Sequence, residues 1–230
     1  MSSLDHEDLG RLMADVARDW AVSSDLDSTL RGITDTAISM IPGADSADIL
    51  MIAAGKRFES HAATSDLPEQ MDALQQRLGE GPCVDAALDA RVTRSNDLTE
   101  ERRWPRFTRH ALDAGVRSTL SFQLYTGNHT SGALNLFAKN RHAFDEESVL
   151  IGEVLAAHAA IAIAAARTAE QLLSAVASRD MIGQAKGMLM ERFGVDAAQA
   201  FAMLTKLSQD SNTPLADVAM KIVDLGPDRR

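Results

Sequence analysis

The 230-residue sequence contains one cysteine, Cys83, so it cannot form an internal disulfide framework, and this usage fits a reducing compartment. Its first ten residues, MSSLDHEDLG, are acidic and lack the apolar core of a secretory signal. The most apolar run, VLAAHAAIAIAAA, has 13 residues, whereas a membrane span needs about 20. These absences predict a cytoplasmic protein that does not contact a membrane.

Sequence signatures of catalysis are also missing. The chain has no P-loop pattern, no G-x-S-x-G and no H-E-x-x-H. Its six histidines show no metal-ligand spacing, and no cysteine pair accompanies them. We therefore expect no enzyme activity and no metal site, and no cofactor is evident.

Acidic residues outnumber basic ones, and the net charge is unevenly distributed along the chain. The chain carries a formal net charge of −10, of which residues 1–167 contribute −9 and residues 168–230 contribute −1. An acidic surface repels nucleic acid, so any nucleic-acid contact must come from a local patch in the nearly neutral C-terminal part.

The front of the chain alternates helical and strand-like patterns. An amphipathic helix is predicted within residues 1–24, and a second helix ends at Pro42-Gly43. Strands are predicted at ADILMIAA, FESHAAT and RVTRSND, and a last pair, STLSFQLYTG and SGALNLFAKN, is joined by the polar turn GNHTS. Helical segments separate them. This order predicts an α+β domain over residues 25–165, with an antiparallel sheet flanked by helices.

Four parts of this domain resemble a GAF domain, a sensory module. They are IPGADSADILMI, LGEGPC, GVRSTLSFQLYTGNHTSGALNLFAKNRHAFDEES and the helix that follows. The resemblance implies a sensor for a small-molecule signal whose identity stays open. Within it, Cys83 lies near the start of a predicted short helix, where a thiolate would be stabilised. Cys83 is therefore a candidate redox sensor, and a packed core position is the alternative.

The helix after the predicted sheet carries small and apolar residues at spacings of three and four, as coiled coils do. This stripe predicts a homodimer seam along a long, coiled-coil-like helix, and packing against the domain's own sheet is the alternative. The seam residues are Ile151, Leu155, His158, Ala162, Ala165, Ala169, Leu172 and Val176.

Residues 166–230 predict a small bundle of three helices. The first ends at Phe193, because Gly194 suits the left-handed position that follows a helix. The second follows Asp196, and Gln199 completes its capping box. The third is predicted to begin at Pro214 behind Thr213 as its N-cap. The residues expected to face inward are Ile182, Ala185, Leu189, Phe193, Ala200, Phe201, Leu204, Leu207, Leu215, Val218, Ala219 and Ile222.

Two glycines stand four residues apart in the first of these helices, Gly183 and Gly187. Each costs about 1 kcal/mol relative to alanine. Residues four apart share one helix face, so the pair makes a bare strip beside Lys186, which we call the glycine strip. A nucleic acid could approach such a surface closely, and the alternative is tight packing of another helix of the bundle or of a second subunit.

The string from Ser178 to Val223, SRDMIGQAKGMLMERFGVDAAQAFAMLTKLSQDSNTPLADVAMKIV, closely resembles an ANTAR domain, the RNA-binding output module of bacterial antiterminators. The resemblance implies binding of a structured RNA hairpin in a nascent leader transcript, which prevents a competing terminator from forming. RNA of this kind is recognised through unstacked loop bases and the backbone. The implied RNA-binding residues are Arg179, Gly183, Gln184, Lys186, Gly187, Met190, Lys206, Gln209, Asn212 and Lys221.

Two other functions remain open at this point. Three short C-terminal helices can also form a helix-turn-helix, which would make the chain a DNA-binding regulator with a GAF sensor. The third helix offers base edges only Lys221, next to Asp217 and Asp224, which disfavours that hypothesis. The second alternative is a signalling adaptor, in which the C-terminal part would bind a protein partner.

Overall fold

A computed structural model describes residues 6–21, 25–53, 57–88, 91–126 and 129–226. The chain divides into two compact units, Met1–Arg167 and Thr168–Arg230. The predicted GNHTS turn includes residues 127 and 128, which lie outside the described residues.

The first unit is built on a five-stranded sheet. Its strands are β1 (Ser46–Ala53), β2 (Arg57–His61), β3 (Val92–Ser95), β4 (Ser118–Thr126) and β5 (His129–Ala138). Their spatial order is β2-β1-β5-β4-β3, and all neighbours are antiparallel. The α+β class predicted from the sequence is confirmed.

Helices precede, interrupt and follow the sheet. They are α1 (His6–Ala21), α2 (Leu26–Met40), α3 (Asp66–Leu78), α4 (Pro82–Leu88), α5 (Pro105–Asp113), α6 (Glu146–Phe193), α7 (Ala197–Ser211) and α8 (Leu215–Leu225). The start of α2 is set locally, because the Asp25 carboxylate accepts the Ser28 backbone N–H at 2.7 Å. The predicted long helix and the first helix of the predicted bundle are one element, α6.

Alternation along the strands gives the sheet two buried faces. On one face, Ile49 and Leu134 pack with α2 and with the first part of α6. On the other, Leu50 and Phe137 pack with α3, α4 and α5. We call the second face the α3–α5 layer, and it contains Cys83.

The structure corrects the predicted seam on α6. Ile151 and Leu155 are buried in the core of their own unit, and Leu155 is 0% exposed. They pack against the domain's own sheet, so their assignment to an intersubunit seam is wrong. Leu172 and Val176 are instead 63% and 60% exposed. Helical period alone joined these residues into one stripe, although different surfaces surround them.

The second unit is a three-helix bundle made by the last part of α6 with α7 and α8. The predicted ends of its helices are largely confirmed. Gly194 is left-handed at φ 65°, and Asp196 and Gln199 form the capping box of α7. The start of the third helix is shifted by one residue, since Pro214 is the N-cap and Thr213 is not.

The bundle core consists mainly of small side chains. Its buried members are Ala185, Leu189, Ala200, Leu204, Val218 and Ala219. Three residues that were predicted to face this core lie outside it. Phe193 is 55% exposed, Phe201 46% and Leu207 49%, so their inward placement was wrong.

One helix of the described residues, α6, contains an 18-residue window that is apolar enough to cross a membrane by length and composition. The sequence expectation of no span rested on a shorter run. Within the protein, 39% of that window is buried. A core helix of a soluble protein passes the same test, so α6 is weak evidence for a membrane span.

Candidate nucleic-acid interface

The glycine strip on α6 is open. A methyl group added at Gly183 or at Gly187 would have no atom within 4 Å outside the adjoining backbone. Tight packing of another helix of the same chain would place atoms there. Packing by another helix of the same chain is therefore excluded within the described residues, whereas packing by a helix of a second subunit remains an alternative. What remains is close approach by a molecule outside the chain.

Two cations lie beside the strip. Arg179 is exposed and Lys186 is half-buried on α6. Among the described residues, no carboxylate lies within ion-pair distance of either side chain. Gln184 is exposed, whereas Met190 is half-buried against the bundle core. The surface therefore offers positive charge next to bare backbone, which suits a phosphate group.

The remaining predicted RNA-binding residues lie on other parts of the second unit. Lys206 and Gln209 are exposed on α7, and Lys221 is exposed on α8. Asn212 ends α7 in a left-handed conformation, with φ 47°. Among the described residues, no hydrogen bond or ion pair joins these four residues to Lys186, and their role stays a prediction.

Lys206 belongs to a separate groove of about 780 Å³. The groove contains none of the strip residues and is lined on its apolar side by Phe193, Leu207 and Leu225. Arg192 lies 5.8 Å from the centre of the Phe193 ring. Sequence reasoning missed this groove because it placed Phe193 and Leu207 in the core. The abundance of alanine at the core positions was the signal that could have revealed it.

Cys83 is the second residue of α4 and is 0% exposed. Burial, followed by the nearby charges of Asp72 and Asp48, raises the pKa of its thiol well above the ordinary value. The Gln75 side-chain amide donates to the sulfur at 2.8 Å. These surroundings disfavour the thiolate that the redox hypothesis required. The structure corrects that hypothesis and makes Cys83 a packed position.

Two carboxyl groups meet next to Cys83. Asp48 on β1 and Asp72 on α3 are both buried, at 0% and 5% exposure. Burial raises the pKa of each, and the charge of Asp48 raises that of Asp72 further. The two groups are close enough to share a hydrogen bond when Asp72 is protonated. Sequence reasoning did not find this pair, since 24 residues separate its members and neither belongs to a motif.

No group of three or more histidine, cysteine, aspartate or glutamate side chains among the described residues has the arrangement of a metal site. The predicted seam residue His158 lines a surface groove of about 760 Å³ between α6 and β4, together with Tyr125 and Leu150. Ala162 is half-buried, and Ala165 and Ala169 are exposed.

Comparison with family models decides the identity of both parts. A GAF domain model matches residues 23–164, and an ANTAR domain model matches residues 170–223. The chain belongs to the GAF family and carries an ANTAR domain. These domain types make it a regulator with a sensory module and an RNA-binding module. A comparison with curated proteins found no match.

Solved structures show the same fold for the GAF domain. The GAF domain of an Acinetobacter phosphoenolpyruvate-protein phosphotransferase is 17% identical, with a TM-score of 0.57 over 74% of this chain and 99% of that one. A Neisseria meningitidis free methionine-R-sulfoxide reductase is 15% identical, with a TM-score of 0.54 over 74% of this chain and 96% of that one. At such identities the likeness concerns the fold alone.

The ANTAR match contains the glycine strip and all the predicted RNA-binding residues. The GAF match contains Cys83 and the Asp48–Asp72 pair.

Proposed function

We propose that this GAF–ANTAR protein binds hairpins in nascent leader transcripts and prevents terminators from forming, under control of a signal received by the GAF domain. The ANTAR match supports RNA as the ligand of the second unit. The GAF match supports a small-molecule signal for the first.

The open glycine strip is the observation that carries this proposal. Two glycines that each cost about 1 kcal/mol in a helix need a compensating role, and no atom of the described chain occupies the space that they leave. Phosphate groups or unstacked bases of an RNA loop fit that space, with Arg179 and Lys186 supplying charge.

Three further features complete the proposal. The protein is a homodimer through the exposed apolar residues of α6, it acts in the cytoplasm, and it has no enzyme activity of its own. The dimer is supported by Leu172, Leu173 and Val176, which form an apolar stripe 60–69% exposed in the second unit. Exposed apolar stripes at helical spacing are typical of helix–helix association.

Replacing Lys186 with alanine is expected to weaken hairpin binding about tenfold, the effect of losing one charge-assisted contact of about 1.5 kcal/mol. The salt dependence of binding should flatten by roughly one ion or less. Fluorescence anisotropy with a labelled two-loop hairpin RNA at several salt concentrations measures both. Lys139→Ala, an exposed lysine of the GAF domain, is the matched control. Unchanged binding by Lys186→Ala would remove the strip from the RNA interface.

Gly187→Ala is expected to separate stability from binding. Because the site is open, the methyl group should stabilise the helix by about 0.5–1 kcal/mol, while it obstructs close approach of RNA. Gly10→Ala is the control, since this exposed glycine of α1 is equally free of neighbours. It should leave RNA binding unchanged. A Gly187→Ala protein that binds RNA like the wild type would contradict close approach at this position.

Duplex DNA in the same assay tests the helix-turn-helix alternative. Both Lys221 and its acidic neighbours Asp217 and Asp224 are exposed on α8. This mixture of charges is poorly suited to a recognition helix. We expect hairpin RNA to bind and a DNA duplex of equal length to bind at least about tenfold more weakly at the same salt.

A further inference from the structure

The groove of about 780 Å³ on the second unit is an apolar surface that the fold leaves uncovered. Its floor is part of the bundle core, because Leu189 and Leu204 belong to both. The large apolar side chains that line the groove and remain exposed are Phe193, Met203, Leu207 and Leu225. Apolar surface gathered in one concave place and left in contact with water is typical of a binding site.

Phe193 gives the groove a flat aromatic surface. Its side chain is 55% exposed, and the guanidinium carbon of Arg192 lies over the ring, 5.8 Å from its centre. Aromatic rings and guanidinium planes are the groups on which unstacked RNA bases stack. Such stacking tolerates any base, because every base has a π-face. The exposed ring of Phe193 therefore suits a nucleobase.

Charged side chains border this apolar surface. Lys206 and Asp210 both line the groove, four residues apart on α7, and neither forms an ion pair with another described residue. Glu191 lines it as well. An ammonium group suits a phosphate, whereas a carboxylate accepts the N–H groups of a base edge. A flat ring system, an anionic group and N–H donors occur together in a nucleotide, so the groove complements a nucleotide.

The groove and the glycine strip share α6. Phe193 follows Lys186 by seven residues, which is close to two helical turns, so both side chains leave the helix on one side. About 10 Å of helix axis separates the two positions. An RNA loop whose phosphate contacts Lys186 can therefore reach Phe193 with a neighbouring nucleotide.

From these contacts we infer that the groove holds one unstacked base of the RNA loop, stacked on Phe193 with a phosphate at Lys206. The inference rests on the proposed function and adds a second contact surface to it. The glycine strip lies against the RNA backbone, and the groove binds a base. Glu191 and Asp210 accept hydrogen bonds from the N–H groups of that base.

The test is fluorescence anisotropy of the full chain with the labelled two-loop hairpin RNA. Phe193→Ala is expected to weaken binding by about fivefold to a hundredfold, the effect of losing one stacked base. Phe193→Trp keeps an aromatic face and should bind like the wild type. Phe201→Ala is the matched control, because Phe201 is 46% exposed on α7 but lies outside the groove.

Hairpins with a single abasic nucleotide at each loop position in turn identify the stacked base. At one position the abasic RNA should bind the wild type as weakly as the intact RNA binds Phe193→Ala. The same abasic RNA should bind Phe193→Ala no more weakly than intact RNA does, because both changes remove one shared contact. Circular dichroism melts of Phe193→Ala should match the wild type, since most of this side chain is exposed.

Unchanged RNA binding by Phe193→Ala would overturn the inference, as would independent effects of Phe193→Ala and the abasic nucleotide at every loop position. If Phe193→Ala alters sedimentation and leaves RNA binding unchanged, the groove is a contact between copies of the chain and the inference is wrong. Loss of binding in Lys186→Ala but not in Phe193→Ala would contradict this inference alone. A wild type that binds no hairpin would contradict the proposed function and, with it, the base site.

Discussion

The double substitution Leu172→Glu and Val176→Glu is expected to convert the protein from a dimer to a monomer without unfolding it. These side chains are 63% and 60% exposed in the single chain, so glutamate there costs the isolated fold little. In a dimer the four apolar side chains would be buried, and each contributes about 1.5–3 kcal/mol on full burial. Their loss, with added charge repulsion, should raise the dissociation constant by more than about a thousandfold.

Sedimentation velocity at micromolar concentration measures this change, and Leu155→Glu is the contrasting variant. Leu155 is on the same helix but is 0% exposed in the GAF core. A glutamate there would bury an unpaired charge, and we expect a loss of more than about 4 kcal/mol in unfolding free energy. A wild-type monomer at these concentrations would refute the dimer, and a double variant that remains dimeric would place the interface elsewhere.

Asp72→Asn is expected to stabilise the GAF domain at neutral pH and to flatten the pH dependence of its stability. Burial and the Asp48 charge raise the pKa of Asp72 well above its ordinary value in the folded state. A group with a raised folded pKa contributes stability that is fully present below its unfolded pKa, near 4. That stability is lost as the pH rises toward the folded pKa, at about 1.4 kcal/mol per pH unit. The asparagine amide N–H can still donate a hydrogen bond to Asp48, and the amide does not titrate in this pH range.

Urea unfolding monitored by tryptophan fluorescence at pH 5 and pH 8 tests this sign. We expect Asp72→Asn to have a higher free energy of unfolding than the wild type at pH 8, and a smaller advantage at pH 5. Asp113→Asn should follow the wild type at both values, because its side chain is exposed. If Asp72→Asn is less stable than the wild type at pH 8, both carboxyl groups are ionised in the folded wild type, and other contacts compensate their negative charges.

Local chemistry made much of this protein readable from its sequence. Asp196 with Gln199 predicted the start of α7, and Gly194 predicted the end of α6, because capping depends on residues within one turn. Short apolar or alternating segments predicted the strands, and of the explanations that the sequence left open for the glycine strip, the structure excludes packing by another helix of the described chain. The GAF and ANTAR resemblances were confirmed by family models over residues 23–164 and 170–223.

Contacts between distant residues were decided only by the tertiary structure. Periodicity placed Leu155 and Leu172 on related faces of one helix, but only the folded sheet covers Leu155. Likewise, no local pattern in the sequence predicts that Asp48 and Asp72 meet, since β1 and α3 must first pack together. Periodicity records the direction in which a side chain points, whereas its burial, partner and charge state depend on the surface that the rest of the chain brings to it.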